Sequence, residues 1–145
     1  GAYRGLRYRD EAMLVLDRST YALGPHTDIL KKVLSFLFYL PADDSRSHLG
    51  TSIYASKEPG FTCDGAVHHP FERFHLVKTM PYVPNALFAF VRTDDSFHGV
   101  EPIQETDVRR DLLLYDVKVL NPPELEQAAM EGAQRDGGSR ARFTF

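Results

Sequence analysis

His26-Thr27-Asp28 sets an imidazole and a carboxylate two residues apart. In extended backbone, residues i and i+2 project to one face, so one short segment presents a nitrogen and an oxygen donor side by side. Alone, such a triplet is more often a surface turn. A third donor stands far along the chain, in Ser96-Phe97-His98-Gly99-Val100, and the cations Arg109 and Arg110 follow shortly after it. Two imidazoles and one carboxylate leave open positions on a metal, the ligand set that suits non-heme Fe(II) activating O2. The single cysteine, Cys63, rules out an internal disulfide and a multi-thiolate metal site. Any metal here must be held by nitrogen and oxygen, and a reducing cytoplasm is the expected setting.

These residues need a scaffold, and the sequence reads as short β-like runs broken by Pro, Gly, Asp and Asn. An apolar run at residues 12–16 is followed by the turn-like Asp17-Arg18-Ser19-Thr20. Further strands are expected at 21–26, at the aromatic-rich 33–40 ending before Pro41, and at 51–54, 74–79, 86–93 and 110–119. Seven or eight short strands at roughly 8–12-residue spacing point to a β-sandwich or barrel. Only residues 122–130 read as helical, with prolines at the start and acids in the first turn, and a Gly- and charge-rich tail follows at 135–142. The expected organisation is a β domain over 1–121, then a short C-terminal helix and tail over 122–145.

The composition agrees. At 145 residues, with 43% hydrophobic and 26% charged residues, the chain fits one domain with one core. The 17 Lys and Arg against 20 Asp and Glu give a net charge of −3, which argues against a nucleic-acid partner. No apolar run approaches the roughly 20 residues of a membrane-spanning helix, so no membrane partner is expected. The oligomeric state is not encoded in any recognisable motif.

The order and spacing of Gly24-Pro25-His26-Thr27-Asp28, Leu34-Ser35-Phe36-Leu37-Phe38-Tyr39-Leu40-Pro41, Asn85-Ala86-Leu87-Phe88-Ala89-Phe90, Phe97-His98-Gly99-Val100 and the segment 109–115 cover most of the chain. In these segments the sequence resembles the Fe(II)- and 2-oxoglutarate-dependent dioxygenases, most closely their prolyl-4-hydroxylase-like branch. The resemblance implies an all-β double-stranded β-helix, or jelly roll, with His26, Asp28 and His98 ligating Fe(II). It implies 2-oxoglutarate as cosubstrate beside O2, with ascorbate as a candidate reductant. The product chemistry would be hydroxylation of an unactivated C–H bond of a small molecule or a prolyl or peptidyl substrate, with release of succinate and CO2. By the same resemblance Arg109 would meet the distal carboxylate of 2-oxoglutarate, with Arg110 as the alternative because neighbouring strand residues face opposite sides. Tyr39 would hydrogen-bond that carboxylate. The chain departs from the branch at Leu49-Gly50-Thr51-Ser52-Ile53, where many members carry Gly-Gly before an apolar residue.

Other polar residues read more plainly. His68-His69 is expected as a solvated loop pair, His75 as a framework residue and Lys31-Lys32 as a solvated turn. Phe36 and Phe38 should face outward if Tyr39 faces inward. The rival from another class is a non-catalytic cupin- or lectin-like jelly-roll binding module, and a metallohydrolase is a third option for which no general base stands out.

Overall fold

A computed structural model describes residues 5–65 and 67–121. The helix expected at 122–130 and the tail after it lie outside the described residues. The described residues form eight strands: β1 (Tyr8–Arg18), β2 (Leu23–His26), β3 (Lys32–Tyr39), β4 (Ser52–Ser56), β5 (Phe74–Thr79), β6 (Leu87–Val91), β7 (His98–Val100) and β8 (Arg109–Val119). Two short 3-10 turns, Ser47–Leu49 and Phe71–Arg73, sit between them. No helix among the described residues is long and apolar enough to cross a membrane.

All strand pairings are antiparallel, and they make two four-stranded sheets in the orders β1-β8-β3-β6 and β2-β7-β4-β5. Successive strands alternate between sheets through most of the chain, which is the wrapping of a jelly roll. The double-stranded β-helix expected from the sequence is therefore the observed fold. The strand bounds shift, and two differences bear on the site. His98 lies on a short strand, β7, that is not among those expected, and β1 continues through Asp17 and Arg18, which read as a turn in the sequence. Asp17 is buried there because Arg110 stands directly opposite it on β8.

The register shows how the first sheet divides its two faces. On the inner face Val15, Leu112 and Tyr39 form one cross-strand row and Met13, Leu114, Leu37 and Phe88 form the next. On the outer face Leu14, Leu113, Phe38 and Leu87 make a corresponding row, and Leu14 is 78% exposed. Phe36 and Phe38 do face outward, as the period of two requires once Tyr39 points in.

The core is split. One cluster gathers Leu37, Tyr39, Leu49, Tyr82, Phe88, Ile103, Val108 and Leu112 between the sheets. The other, Tyr54, Phe74 and Phe97 with Phe61 and Phe71, packs on the far side of β4. Ile53 packs against the first cluster while its neighbour Tyr54 belongs to the second, as strand alternation demands.

Gly99 separates His98 from Val100 on β7, where β2 approaches so closely that a Cβ would lie 2.3 Å from the Leu23 carbonyl oxygen. A side chain at this position must push the two strands apart. Gly99→Ala is expected to lower the unfolding free energy by about 1–3 kcal/mol, the usual cost of overpacking. Urea unfolding of the variant beside the parent chain measures it; an unchanged midpoint would show that β2 and β7 are not held this tightly.

Candidate metal centre

His26 ends β2 and His98 begins β7, and the two are direct cross-strand partners. Opposed residues on antiparallel strands present their side chains on the same face, so the register alone brings the imidazoles together, with ring centroids 4.4 Å apart. Asp28 follows β2 after Thr27, whose hydroxyl donates to the Cys63 carbonyl at 2.9 Å and anchors the turn. One ligand atom from each of His26, Asp28 and His98 lies within 4.8 Å of the others, and all three residues are buried. The structure thus gathers the three residues expected to ligate iron.

The hydrogen bonds around them orient the donors. His26 Nδ1 donates to the Gly24 carbonyl and His98 Nδ1 to the Ser96 carbonyl, each at 3.0 Å. A carbonyl only accepts, so both Nδ1 atoms carry the proton and each Nε2 keeps its lone pair for a metal, the arrangement that fixes tautomer and ring orientation in metal-binding histidines. Burial pushes the His26 pKa down to about 4, with the neighbouring His98 adding to the effect. Burial also lowers the pKa of His98. Both imidazoles are neutral at pH 7.

Asp28 is held from both sides. The Lys32 ammonium lies 3.0 Å from Oδ1, and the Ser35 hydroxyl donates to Oδ2 at 2.7 Å. Burial alone would raise the carboxyl pKa, but Lys32, His98 and the Ser35 hydrogen bond together bring it below its ordinary value. Lys32 also reaches Asp116 on β8, at 2.9 Å. Arg92 donates from Nε to the Asp28 backbone carbonyl at 3.1 Å. Gly65, at φ +101°, packs against the same carbonyl, where a Cβ would come within 2.4 Å of the oxygen.

The triad opens into a cavity of about 280 Å³ between the sheets. Lys32 and Ser35 line it near the triad, Asp17, Thr51 and Arg110 line it elsewhere, and aliphatic side chains including Val15, Leu37, Leu112 and Leu114 fill the wall. Arg110 and Asp116 stand six residues apart on the inner face of β8, with Leu112 and Leu114 between them. The cavity therefore has a polar region at each end and an apolar waist. Its size suits a small ligand, just below the roughly 300–1,000 Å³ of pockets for drug-sized molecules.

The paired arginines lie on opposite faces of β8. Arg109 faces outward with a side chain 69% exposed and an ion pair to Asp111 at 2.7 Å, so it does not line the cavity. Arg110 does, with a side chain 2% exposed. The sequence preference for Arg109 is off by one residue, and on a strand one residue is the other face. Arg110 donates from Nε to the Leu49 carbonyl at 2.6 Å, from Nη1 to Asp17, and from Nη2 to the Thr51 hydroxyl at 3.3 Å.

Tyr39 points inward, but its hydroxyl accepts the Thr51 backbone N–H at 3.0 Å and its ring lies 5.9 Å from the Arg110 guanidinium. It backs the arginine and is not among the side chains that line the cavity. Lys32, Asp17 and Ser35 are site residues that sequence reasoning missed. Lys32 read as part of a solvated turn and Asp17 as part of a turn, and both are inner-face strand residues. Of the loop pair expected to be solvated, His68 is exposed and His69 is half-buried. The ring of His68 lies 4.7 Å from that of His26, while His69 packs against Phe61, Phe74 and Phe97.

No protein-family model matches the sequence, and no curated protein matches it. Among solved structures, a prolyl-4-hydroxylase of Pseudomonas putida aligns with a TM-score of 0.51 at 19% identity, over 84% of this chain and 59% of that one. The chain thus spans little more than half the length of that neighbour, and at this identity the likeness is one of fold. A chain of the disulfide-linked pili that form Bacillus endospore appendages aligns with a TM-score of 0.39 at 11% identity, over 83% of this chain and 96% of that one. That likeness is too distant to bear on the site.

The lowered pKa of His26 makes stability depend on pH. In the unfolded chain this imidazole binds a proton near pH 6.5, in the fold only near 4, so between these values the unfolded state holds more protons and stability falls as pH falls. Metal-free protein is expected to be about 2 kcal/mol less stable at pH 5 than at pH 7.5 from His26 alone. Denaturant unfolding at the two pH values measures it, and a His26→Gln variant should flatten the dependence.

Proposed function

We propose that the chain is an Fe(II)- and 2-oxoglutarate-dependent dioxygenase that hydroxylates an unactivated C–H bond of a small molecule or a prolyl or peptidyl substrate. The observation that carries this reading is the donor set: two neutral imidazoles, each fixed through Nδ1 to a backbone carbonyl, and an ionised carboxylate, all within 4.8 Å. Nitrogen and oxygen donors on one side of a metal, with open positions toward a cavity, fit iron that must also take an oxo acid and O2. The Pseudomonas putida neighbour in fold is a prolyl-4-hydroxylase, which supports the same reading.

The protein's own residues divide the work. His26, Asp28 and His98 would hold the metal, and Ser35 and Lys32 keep the Asp28 carboxylate oriented and ionised. At the other polar end Arg110 has terminal N–H groups beyond those taken by Asp17 and Thr51, and these would hydrogen-bond the far end of the oxo acid. Val15, Leu37, Leu112 and Leu114 line the path between with apolar surface that excludes water. When bound, Fe(II) with 2-oxoglutarate and O2 would supply the oxygen chemistry, with one oxygen atom of O2 entering the substrate C–H bond and the other entering succinate as CO2 is released.

A non-catalytic jelly-roll binding module is the second reading, favoured by one observation: Lys32 and Asp17 already neutralise Asp28 and Arg110. Two measurements separate the readings. 2-Oxoglutarate should raise the melting temperature only when Fe(II) or Mn(II) is present, and succinate should form only with Fe(II) and O2, in a screen of peptides, amino acids and sugars. His26→Ala and Asp28→Ala should each lower succinate release at least about 100-fold, whereas Arg109→Ala should leave it unchanged. Full turnover in either ligand variant would sink the dioxygenase reading.

A further inference from the structure

The charge on the cavity walls gives a second carboxylate no advantage over an uncharged hydrogen-bonding group. This inference rests on the reading that a metal-bound 2-oxo acid occupies the cavity. Asp17 and Arg110 are direct cross-strand partners on β1 and β8, both line the cavity, and their side chains are 6% and 2% exposed. An arginine that reads a carboxylate bidentately offers it two parallel N–H groups and an uncompensated charge. Here Asp17 already holds Nη1 and cancels that charge, Leu49 takes Nε, and Thr51 stands against Nη2.

The triad end is similarly compensated. Lys32 is shared by Asp28 and Asp116, and Asp116 Oδ1 is buried without a hydrogen-bond partner among the described residues. Counting the side chains that line the cavity, or pair directly with one that does, the cations Lys32 and Arg110 meet the three carboxylates Asp17, Asp28 and Asp116. A divalent metal brings this balance to a single net positive charge. A 2-oxo acid with one carboxylate neutralises it. A second carboxylate would enter as excess negative charge beside Asp17, where burial strengthens the repulsion.

We infer that Asp17 is a specificity-determining residue: by neutralising Arg110 it removes the advantage of a second carboxylate and turns the far end of the cavity toward 2-oxo acids that end in an uncharged group able both to donate and to accept hydrogen bonds. A carboxamide has that pattern. Its carbonyl would take a terminal N–H of Arg110, and its NH2 would donate to Asp17.

The test uses the full chain loaded with Mn(II) under anaerobic conditions, titrated calorimetrically with 2-oxoglutarate and with its 5-amide, a ligand of the same shape with one charge fewer. The parent protein should bind the amide at least as tightly as 2-oxoglutarate. Asp17→Asn, which keeps the side-chain shape and drops the charge, should reverse the order and favour 2-oxoglutarate by about tenfold or more. If that variant does not fold, the ratio in the parent protein decides by itself. A parent protein that binds 2-oxoglutarate more tightly than the amide overturns the inference and leaves the dioxygenase reading standing, as does a ratio that Asp17→Asn leaves unchanged. Failure of the metal-loaded parent to bind either ligand overturns both.

Discussion

Charged side chains bridge the two sheets where aliphatic ones would ordinarily interdigitate. Lys32, on β3 of the first sheet, reaches Asp28, which follows β2 of the second, and also holds Asp116 on β8. Arg110 on β8 reaches across to the Leu49 carbonyl and the Thr51 hydroxyl just before β4. These long, hydrogen-bonded contacts leave the space between them open, so the cavity exists because its walls are tied by ion pairs instead of being packed shut. Such pairs contribute little net stability, since desolvation offsets their attraction, but removing one partner leaves a buried charge unpaired at a cost of about 3–5 kcal/mol. Net stability must come from elsewhere. It comes from the cluster around Leu37, Tyr82 and Leu112 and from the aromatic cluster around Phe74 and Phe97.

The β architecture and the candidate metal triplet are legible in the sequence because both leave local signals, and the resemblance narrows the architecture to a jelly roll. Strand runs are bounded by Pro, Gly and Asp, and His26 and Asp28 lie within one tripeptide. What is not legible depends on register. Arg109 and Arg110 are equivalent until the pairing of β8 with β1 fixes which of them faces in. Asp17 lies next to Arg18-Ser19-Thr20 and reads as a turn, yet it is the last inner-face residue of β1 because Arg110 stands opposite. Lys32 has the same difficulty: its partner Asp116 is distant in sequence, and nothing local marks the pair.

The polarity of the first sheet compounds the problem. An alternating strand is ordinarily read with its apolar face inward. On this sheet the inner face carries Asp17, Ser35, Arg110 and Asp116 among its aliphatic residues, while the outer face presents Leu14, Leu113, Phe38 and Leu87. Apolar residues therefore occur on both faces, and hydrophobic alternation alone does not distinguish them. The buried polar residues do, because each is tied to a partner: Ser35 to Asp28, Asp116 to Lys32 and Asp17 to Arg110. Looking for pairs of inner-face charges across candidate registers would have found the cavity where a search for apolar stripes does not.

The same pairing would leave the candidate centre poised for a metal at neutral pH. Metal binding ordinarily competes with protons for its ligands. Burial keeps His26 and His98 unprotonated, with His98 adding to the effect at His26, and their Nδ1 atoms are committed to backbone carbonyls. Lys32 and Ser35 keep Asp28 ionised and fixed in orientation. All three groups therefore stand in their ligating protonation states before any ion arrives, and the cost of holding them so is met by the folding of the sheets. The compensation that prepares the ligands also limits the charge left to attract an anion once the metal is bound. The buried carboxylates engage the cations Lys32 and Arg110 that would otherwise face the ligand, so under the proposed function the arrangement that readies the centre for a metal would also set which oxo acid the cavity can neutralise.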